Sequence, residues 1–291
     1  MKDKKMTIVE PVVKVEKYNG VSTIIMNRPK KRNAMSPELH ELMDKTLEEL
    51  EQDPDTKIVV IRGAGGNFSA GQDLKEFFRG MEENPTKAKH MAETANRWRW
   101  ERLYNYDKPT IAVIEGYCVG GAFMQLLATD FAIASENATF SLSEVNWGIL
   151  PGALVSKVVV DSVLYRHALY YACLGEAFDA KEAARVGFIN YAVPHENLEA
   201  EVDKLAGKLM KKSPAVLKAT KQAIRQVRTM DFGQAYDYLL AKNTAIRVDD
   251  PEKSYQTGLA QFVDKKSYKP VYGPFELGTL LSYDDPKKSK Q

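Results

Sequence analysis

Two glycine-rich turns and one carboxylate are the parts of this sequence that could do chemistry. The first turn, residues 63–71, precedes DLKEFF, and the second, residues 116–121, precedes AFMQLLA; each follows an apolar run. Glycines let a backbone approach a ligand closely, and the unpaired N–H groups of a helix's first turn favour an anion. Glu144 lies downstream in FSLSEVNWGILPG, among apolar and small residues. Donors aimed at an oxygen, together with a lone carboxyl group, suggest enolate chemistry.

The repetition of this architecture matters more than either turn. A single glycine loop is more often a tight turn than a site. Two strand–glycine–helix units, one with its turn ending at Gln72 and the other at Gly121, could bring two backbone N–H groups to one point. Such a pair of donors would stabilise negative charge on a carbonyl oxygen.

The elements that must position these turns follow from apolar periodicity, which predicts an α/β protein. Valine-rich runs on either side of YNG predict a hairpin, and Ser36 followed by Pro37 predicts the start of an amphipathic helix that ends near Asp53. Short apolar runs predict further strands at 58–61, 110–115, 129–134 and 188–193. From about residue 200 the pattern is nearly all helical, which indicates a subdomain boundary.

Composition excludes several classes of function. The chain has 291 residues, 44% of them apolar, which suffices for one large domain or a core with an appendage. A formal net charge of +2 does not favour nucleic acid as a partner, and no apolar stretch has the length of a signal peptide or a membrane span. The two cysteines and four histidines lie at no metal-ligand spacing. We therefore expect a soluble, cytoplasmic protein without a metal.

Two segments have two interpretations each. The basic residues 30–32 are either a solvated surface patch or, at their position between a strand and a helix, contacts for a phosphate. The tryptophan-rich segment 98–104 contributes either to the core or to the wall of an aromatic acyl pocket.

Five motifs, in this order, resemble those of the crotonase (enoyl-CoA hydratase/isomerase) superfamily: NRPKKRNAMS, FSAGQDLKEF, KPTIAVIEGYCVGGAF, ATFSLSEVNWGILPG and EAFDAKEAARVGFINYAVP. The resemblance covers about residues 12–275. It implies a spiral of ββα turns over 12–199, a helical oligomerisation region over 200–275 and a tail over 276–291. It also implies homotrimers or dimers of trimers, and acyl-CoA substrates whose thioester oxygen is held by the N–H groups of Gln72 and Gly121.

The resemblance implies that Glu144 is the acid/base. Hydratases of the superfamily use two glutamates, and the first of these positions is Met124 here. AMSPELHELM, GQDLKEFFR, WRWERL and LSEVNWGILPG are similar to one branch, the hydroxycinnamoyl-CoA (feruloyl-CoA) hydratase-lyases. Members of that branch hydrate a side-chain double bond and then cleave the β-hydroxy thioester to an aromatic aldehyde and acetyl-CoA. Glu144 would activate water and then take the β-hydroxyl proton.

The chain departs from this branch where the acyl ring binds. The two tyrosines with which the branch binds the ring hydroxyl align with Phe77 and Leu240. Because an unpaired buried phenol costs about 1–3 kcal/mol, a less polar ring, a cyclic enoyl chain or an alkyl chain stays open as substrate. The alternative function is a hydratase or isomerase without C–C cleavage. Met124, Gln125 and Trp147 are further expected substrate contacts.

The resemblance also implies where coenzyme A binds. Lys31 and Arg32 are the expected phosphate partners, and the expected packing residues are Ala34, Ala70 and Leu74. Lys266 could reach the phosphate of a neighbouring subunit. No cofactor is implied beyond the coenzyme A part of the substrate. An RNA-binding or scaffolding protein is the competing class, but the intact turns and Glu144 argue against a degraded site.

Overall fold

The computed structural model describes residues 10–277, so the predicted tail lies outside it after its first two residues. The chain divides into two units at Val202 and Asp203. Asp107–Pro109 belongs to the second unit, although the first unit continues on both sides of it. None of the helices in the described residues combines the length and apolar character needed to cross a bilayer.

A six-stranded sheet forms the centre of the first unit, in the order β1-β2-β3-β4-β6-β9. Only the β1–β2 pair is antiparallel, and the other neighbours run parallel. The strands are β1 (Val13–Tyr18), β2 (Val21–Met26), β3 (Ile58–Gly63), β4 (Thr110–Ile114), β6 (Phe131–Ser135) and β9 (Tyr191–Val193). Every residue of β4 is buried, as expected for a strand within a parallel sheet.

The predicted hairpin is present and has a simple local cause. Asn19 and Gly20 both have positive φ, +46° and +79°. Two consecutive left-handed residues match the right-handed twist of the flanking strands, and Asn-Gly is the pair that adopts them most readily. The turn thereby sets the register of β1 against β2, which pairs Tyr18 with Val21.

A second, three-stranded sheet was not predicted. It has the order β5-β7-β8, with β5 (Tyr117–Val119), β7 (Thr139–Ser141) and β8 (Phe178–Asp179). β5 and β7 pair in parallel, whereas β7 and β8 are antiparallel. β5 begins directly after Gly116 and ends directly before Gly120, so this sheet holds the second glycine turn at its end.

Helix α1 (Pro37–Gln52) has the predicted bounds. The Ser36 hydroxyl accepts a hydrogen bond from the Leu39 N–H at 3.3 Å, and Asp53 is the C-cap. The other helices of the first unit are α2 (Gly80–Glu83), α3 (Pro85–Asn96), α4 (Ala122–Ala128), α5 (Val155–Ser162), α6 (Tyr165–Leu174) and α7 (Ala180–Val186). Two π-helical segments, Leu74–Arg79 and Arg97–Arg102, flank α2 and α3. Short 3₁₀ turns span Pro29–Lys31, Ser143–Trp147 and His195–Asn197.

The strand predicted at 188–193 is shorter than expected. Gly187 ends α7 with φ of +99°, and the Phe188 N–H donates to the Ala183 carbonyl at 2.9 Å. Because that N–H closes the helix, it is not available to a strand ladder, and β9 starts only at Tyr191.

The described part of the second unit is helical. Helix α8 (Leu198–Met210) leads into it and is followed by α9 (Pro214–Val227), α10 (Phe232–Asp249), α11 (Ser254–Leu259) and a π-helical turn at Ala260–Asp264. α10 starts with a capping box in which Asp231 and Gln234 bond reciprocally. No residue of α10 is buried, although Phe232, Tyr236 and Leu240 recur on one side of it.

Candidate active site

The two predicted glycine turns lie against each other. Gly71 has φ of +86°, and a Cβ built on it would lie 2.7 Å from the Val119 carbonyl oxygen and 3.3 Å from the Gly121 nitrogen. No side chain fits at that distance from a backbone oxygen. Glycine at position 71 therefore serves both the backbone conformation and the close approach of the turns.

Backbone hydrogen bonds hold the turns in this contact. The Val119 N–H donates to the Ser69 carbonyl at 3.0 Å, and the Gly120 N–H donates to the Ser141 carbonyl at 2.8 Å. Met35 forms an isolated bridge with Gln72, which ties the first turn to the segment before α1. Segments that are distant in sequence thus meet at one point on the ends of β5 and β7.

Two backbone donors at this point have no protein acceptor. Within residues 10–277, neither the Gln72 N–H nor the Gly121 N–H donates a hydrogen bond to the chain. Both residues are half-buried, so a ligand oxygen can reach them. The sequence paired these two residues, and the structure places the ends of their turns side by side.

Glu144 lies against the second glycine turn. It belongs to the 3₁₀ turn Ser143–Trp147 that follows β7, and a Cβ built on Gly120 would lie 3.4 Å from its Oε1. The residue is 9% exposed, and its Oε2 is buried without a hydrogen-bond partner in the described part of the chain. Burial raises the pKa of Glu144 above its usual 4.5. A carboxyl group in this state can take up or release a proton near the two free donors.

A chain of hydrogen bonds fixes the Gln72 side chain. The Trp98 Nε1–H donates to His40 Nδ1 at 2.8 Å, and since an indole nitrogen only donates, the proton of His40 is on Nε2. Nε2 donates to Gln72 Oε1 at 2.8 Å. Burial, and then the Arg99 cation, lower the pKa of His40 from 6.5 to about 3, so the ring is neutral.

Sequence reasoning missed His40 and assigned Trp98 to core or pocket. Trp98 is fully buried in the main core, and His40 is 1% exposed on the inner face of α1. His40 stands one residue after Leu39 and three before Met43 in the apolar pattern of that helix. A polar side chain on a buried helix face requires a partner, and that was the available signal.

The expected substrate contacts occupy different environments. Phe77 is 5% exposed, packs with Met91 and Ala95, and lies edge-on to His40 with 5.4 Å between ring centroids. Met124 is fully buried in the main core. Gln125 is also fully buried, with its Oε1 unpartnered.

The remaining two are exposed. Trp147 is 63% exposed at the end of the Glu144 turn. Leu240 is 56% exposed on α10, in the second unit.

Those residues of the first unit that are expected to bind coenzyme A come together at the first turn. The Ala70 N–H donates to the Arg32 carbonyl at 2.8 Å, which brings the basic loop onto the glycine turn. Lys31 is exposed at the end of a 3₁₀ turn, and the Arg32 guanidinium lies 4.7 Å from the Tyr117 ring centroid. Ala34 is half-buried and Leu74 is exposed nearby in the chain. Lys266 is exposed in the second unit.

Arg28, which the sequence analysis passed over, organises this loop. Its guanidinium bonds Asp73 at 3.0 Å and Glu76 at 2.7 Å. Asp73 in turn caps the π-helical segment by accepting from the N–H groups of Lys75 and Glu76. Arg28 is thus paired within the protein, which leaves the following basic residues as the ones that point outward.

Comparison with known proteins identifies relatives over most of the chain. A family model described as "Enoyl-CoA hydratase/isomerase" matches residues 16–272. The chain is 45% identical over 259 residues to a hydroxycinnamoyl-CoA hydratase-lyase of Pseudomonas fluorescens, covering 89% of this chain and 94% of the relative. It is 32% identical over 258 residues to 2,3-dehydroadipyl-CoA hydratase of Escherichia coli, covering 87% and 96%.

Solved structures confirm the predicted α/β fold class with its helical C-terminal region. An enoyl-CoA hydratase from Shewanella pealeana superposes with a TM-score of 0.79 at 27% identity, over 87% of this chain and 94% of that one. Since the family model spans most of the chain and the fold agrees, this protein belongs to the enoyl-CoA hydratase/isomerase family, the crotonase superfamily.

Proposed function

We propose that this protein is a hydratase-lyase that acts on an aryl-substituted enoyl-CoA. The observation that carries the proposal is the position of Glu144 against Gly120, with an unpartnered Oε2, beside the acceptor-free N–H groups of Gln72 and Gly121. The 45% identity to a hydroxycinnamoyl-CoA hydratase-lyase supports the choice within the family.

In the first half of the reaction, water adds across the double bond. The Glu144 carboxylate takes a proton from water, and the oxygen bonds to the β-carbon while the electron pair moves to the thioester oxygen. The Gln72 and Gly121 N–H groups stabilise that enolate, and each such donor contributes about 2.7–4 kcal/mol in comparable sites. Protonated Glu144 then returns the proton to the α-carbon, which gives the β-hydroxy thioester.

In the second half, the same groups break a carbon–carbon bond. Glu144 takes the β-hydroxyl proton, the Cα–Cβ bond breaks, and the products are an aldehyde and the enolate of acetyl-CoA. The two N–H groups again hold the enolate oxygen. Glu144 then protonates the α-carbon, so the carboxyl group ends in its starting state.

One carboxyl group suffices for both halves, which is consistent with Met124. The position where two-glutamate hydratases carry the first of their two glutamates holds Met124, a side chain that is fully buried in apolar surroundings. The raised pKa of Glu144 supports its double role. A pKa closer to neutral pH makes the carboxylate a better base, and the same group can then act as the acid that returns the proton.

The coenzyme A part of the substrate would bind along the basic loop. Lys31 and Arg32 are exposed there, and Ala34, Ala70 and Leu74 lie on the same stretch of surface next to the first glycine turn. Their charges suit the phosphates of the nucleotide, and the smaller residues suit the flat adenine and the pantetheine chain.

A hydratase or isomerase without C–C cleavage is the alternative. The observation in its favour is that the two positions expected to bind a ring hydroxyl hold Phe77 and Leu240, neither of which can hydrogen-bond a phenol. Phe77 packs among apolar side chains, which suits a cyclic or alkyl chain.

Product analysis separates the two. The purified protein is incubated with feruloyl-, 4-coumaroyl-, cinnamoyl-, cyclohexenoyl- and crotonyl-CoA, and the products are identified by mass spectrometry. We expect aldehyde plus acetyl-CoA from an aryl substrate, and no products from the Glu144→Gln variant. Hydrated or isomerised thioester without aldehyde would overturn the lyase and support the alternative.

We further propose that the chain assembles into homotrimers or dimers of trimers. The support on this chain is α10, which exposes large apolar side chains along its length and buries none of its residues. An exposed apolar stripe of this kind is typical of an association surface.

A further inference from the structure

Arg99 is a buried cation beside the Gly121 turn. It lies in the π-helical segment Arg97–Arg102 and is 2% exposed. Its Nε–H donates to the Ala95 carbonyl at 2.7 Å, and Nη1–H donates to the Gly121 carbonyl at 3.4 Å. A Cβ built on Gly121 would lie 3.7 Å from Nη1. The guanidinium therefore touches the residue that supplies one of the two free donors.

No carboxylate among residues 10–277 pairs with this charge. Arg97 and Arg102, on the same segment, both pair with Asp44, at 2.7 Å and 2.9 Å. In the described part of the chain, Arg99 forms no ion pair and bonds only backbone carbonyls. Burying an ion without a counter-charge is costly. The pKa of Arg99 falls to about 10 through burial, which still leaves it protonated near neutral pH.

The catalytic carboxylate does not balance it either. Within residues 10–277 Glu144 forms no ion pair, its Oε2 has no hydrogen-bond partner and its Oε1 lies against Gly120. His40, by contrast, feels the Arg99 charge, which adds to the lowering of its pKa. The field of Arg99 thus extends from the Gly121 turn to the residue that holds Gln72.

We propose that Arg99 is a positioning residue for the enolate, holding the Gly121 turn through its carbonyl and supplying the positive charge that the enolate oxygen meets between Gln72 and Gly121. This inference rests on the proposed function of the same site. A fixed, water-excluded cation that lacks a partner in the free enzyme gains one only when negative charge develops on the ligand. Such preorganisation favours the transition state over the neutral substrate.

The same segment serves both turns. Trp98 reaches Gln72 through His40, and the next residue, Arg99, reaches Gly121 directly. Adjacent side chains of one π-helical segment therefore contact both donor residues, Gln72 through its side chain and Gly121 through its carbonyl. A regular helix would space these side chains differently, and π-helical turns recur at functional sites.

The test measures ionisation of a bound ligand and needs no turnover. Acetoacetyl-CoA has an acidic α-proton, and its enolate absorbs in the near ultraviolet, so its apparent pKa on the enzyme can be titrated. Arg99→Met should raise that pKa by about one unit, which is a tenfold smaller enolate fraction at a given pH. Arg99→Lys should raise the ligand's pKa by less, since lysine keeps the positive charge.

Matched variants separate charge from structure. Arg99→Gln keeps a donor for the Gly121 carbonyl without the charge and should resemble Arg99→Met; it is also the second neutral variant if Arg99→Met folds poorly. Arg97→Met removes a cation from the same segment at a paired, outward position and should leave the ligand's ionisation unchanged. Equal ligand pKa values in the wild type and either folded neutral variant would overturn the proposal.

The outcome is independent of the reaction assigned above. If the substrate panel gives no aldehyde but Arg99 still controls enolate formation, the lyase fails and the role of Arg99 stands. If aldehyde forms and the ligand's ionisation ignores Arg99, the lyase stands and the role of Arg99 fails.

Discussion

Glu144 combines burial with an incomplete set of hydrogen bonds. Oε2 has no partner, and Oε1 lies against a glycine rather than against a cation. Ionising the side chain in this place therefore weakens the fold, since the folded pKa lies above the unfolded one and the carboxylate loses solvation. A water molecule or a substrate hydroxyl that donates to Oε2 would supply the missing hydrogen bond of Glu144.

We expect the acidic limb of kcat/KM to lie above pH 4.5. The free enzyme must hold Glu144 as a carboxylate to accept a proton, and burial raises the pKa of that group. The measurement is the pH profile of kcat/KM for whichever thioester is turned over. Glu144→Gln should lose at least about 100-fold in rate while melting no earlier than the wild type at pH 7. A limb at or below 4.5 would contradict the burial argument.

His40 links stability to pH. Its pKa is about 3 in the folded protein and 6.5 when unfolded, so below pH 6.5 the unfolded chain takes up a proton that the folded one refuses. We expect this residue alone to lower the free energy of unfolding by about 1.4 kcal/mol per pH unit between those values. Urea titrations of the wild type and His40→Gln at several pH values would measure it. Identical slopes would show that His40 titrates normally.

Residues with a local sequence signature were predictable, whereas residues that act through distant partners were not. Glu144, Gln72 and Gly121 were predicted because glycine turns and a lone carboxylate have local signatures. His40, Trp98 and Arg99 were not, since each acts through a partner that is 22 to 58 residues away in the chain. Nothing in the spacing of these residues reveals which backbone atom or side chain they will reach.

At the scale of elements, the contact between the glycine turns sets the geometry of the site. Gly71 and Gly66 both have positive φ, +86° and +69°, but an added Cβ meets a carbonyl at 2.7 Å in the first and nothing within 4 Å in the second. A side chain at either position would therefore suffer the same backbone strain, but only one at position 71 would also collide with a neighbouring carbonyl.

We expect Gly66→Ala to lose about 1–2 kcal/mol of stability and Gly71→Ala to lose more. Gly71→Ala should also abolish turnover, because the new methyl group pushes the Gly121 nitrogen away. Urea unfolding and initial rates of both variants make the comparison. Equal stability losses would mean that the turns separate easily.

Elements with local causes were predictable and those with distant causes were not. Two or three adjacent residues suffice to specify the Asn-Gly hairpin and the Ser36-capped start of α1. The second sheet consists of strands of two or three residues that exist only because β5, β7 and β8 meet. Segments this short carry no periodicity, so only tertiary pairing defines them.

At the scale of the whole molecule, the exposed apolar side of α10 supports the proposed association. Phe232 is 98% exposed, and Tyr236 and Leu240 follow it on the same side. We expect sedimentation velocity to give a species of three or six chains. Phe232→Glu should shift it toward smaller species, and a monomeric wild type would contradict the assembly inferred from the family resemblance.

The two acceptor-free N–H groups have a consequence for isotope exchange. An amide that donates to no protein acceptor is not protected by the fold, so the Gln72 and Gly121 amides should exchange with deuterium faster than the hydrogen-bonded amides of β3 and β4, the central strands that precede the two turns. A thioester oxygen seated on both would slow them together. The exchange rates of these two amides therefore report directly whether the oxygen site between them is occupied. A ligand that slows exchange at one amide but not at the other does not place an oxygen between both N–H groups.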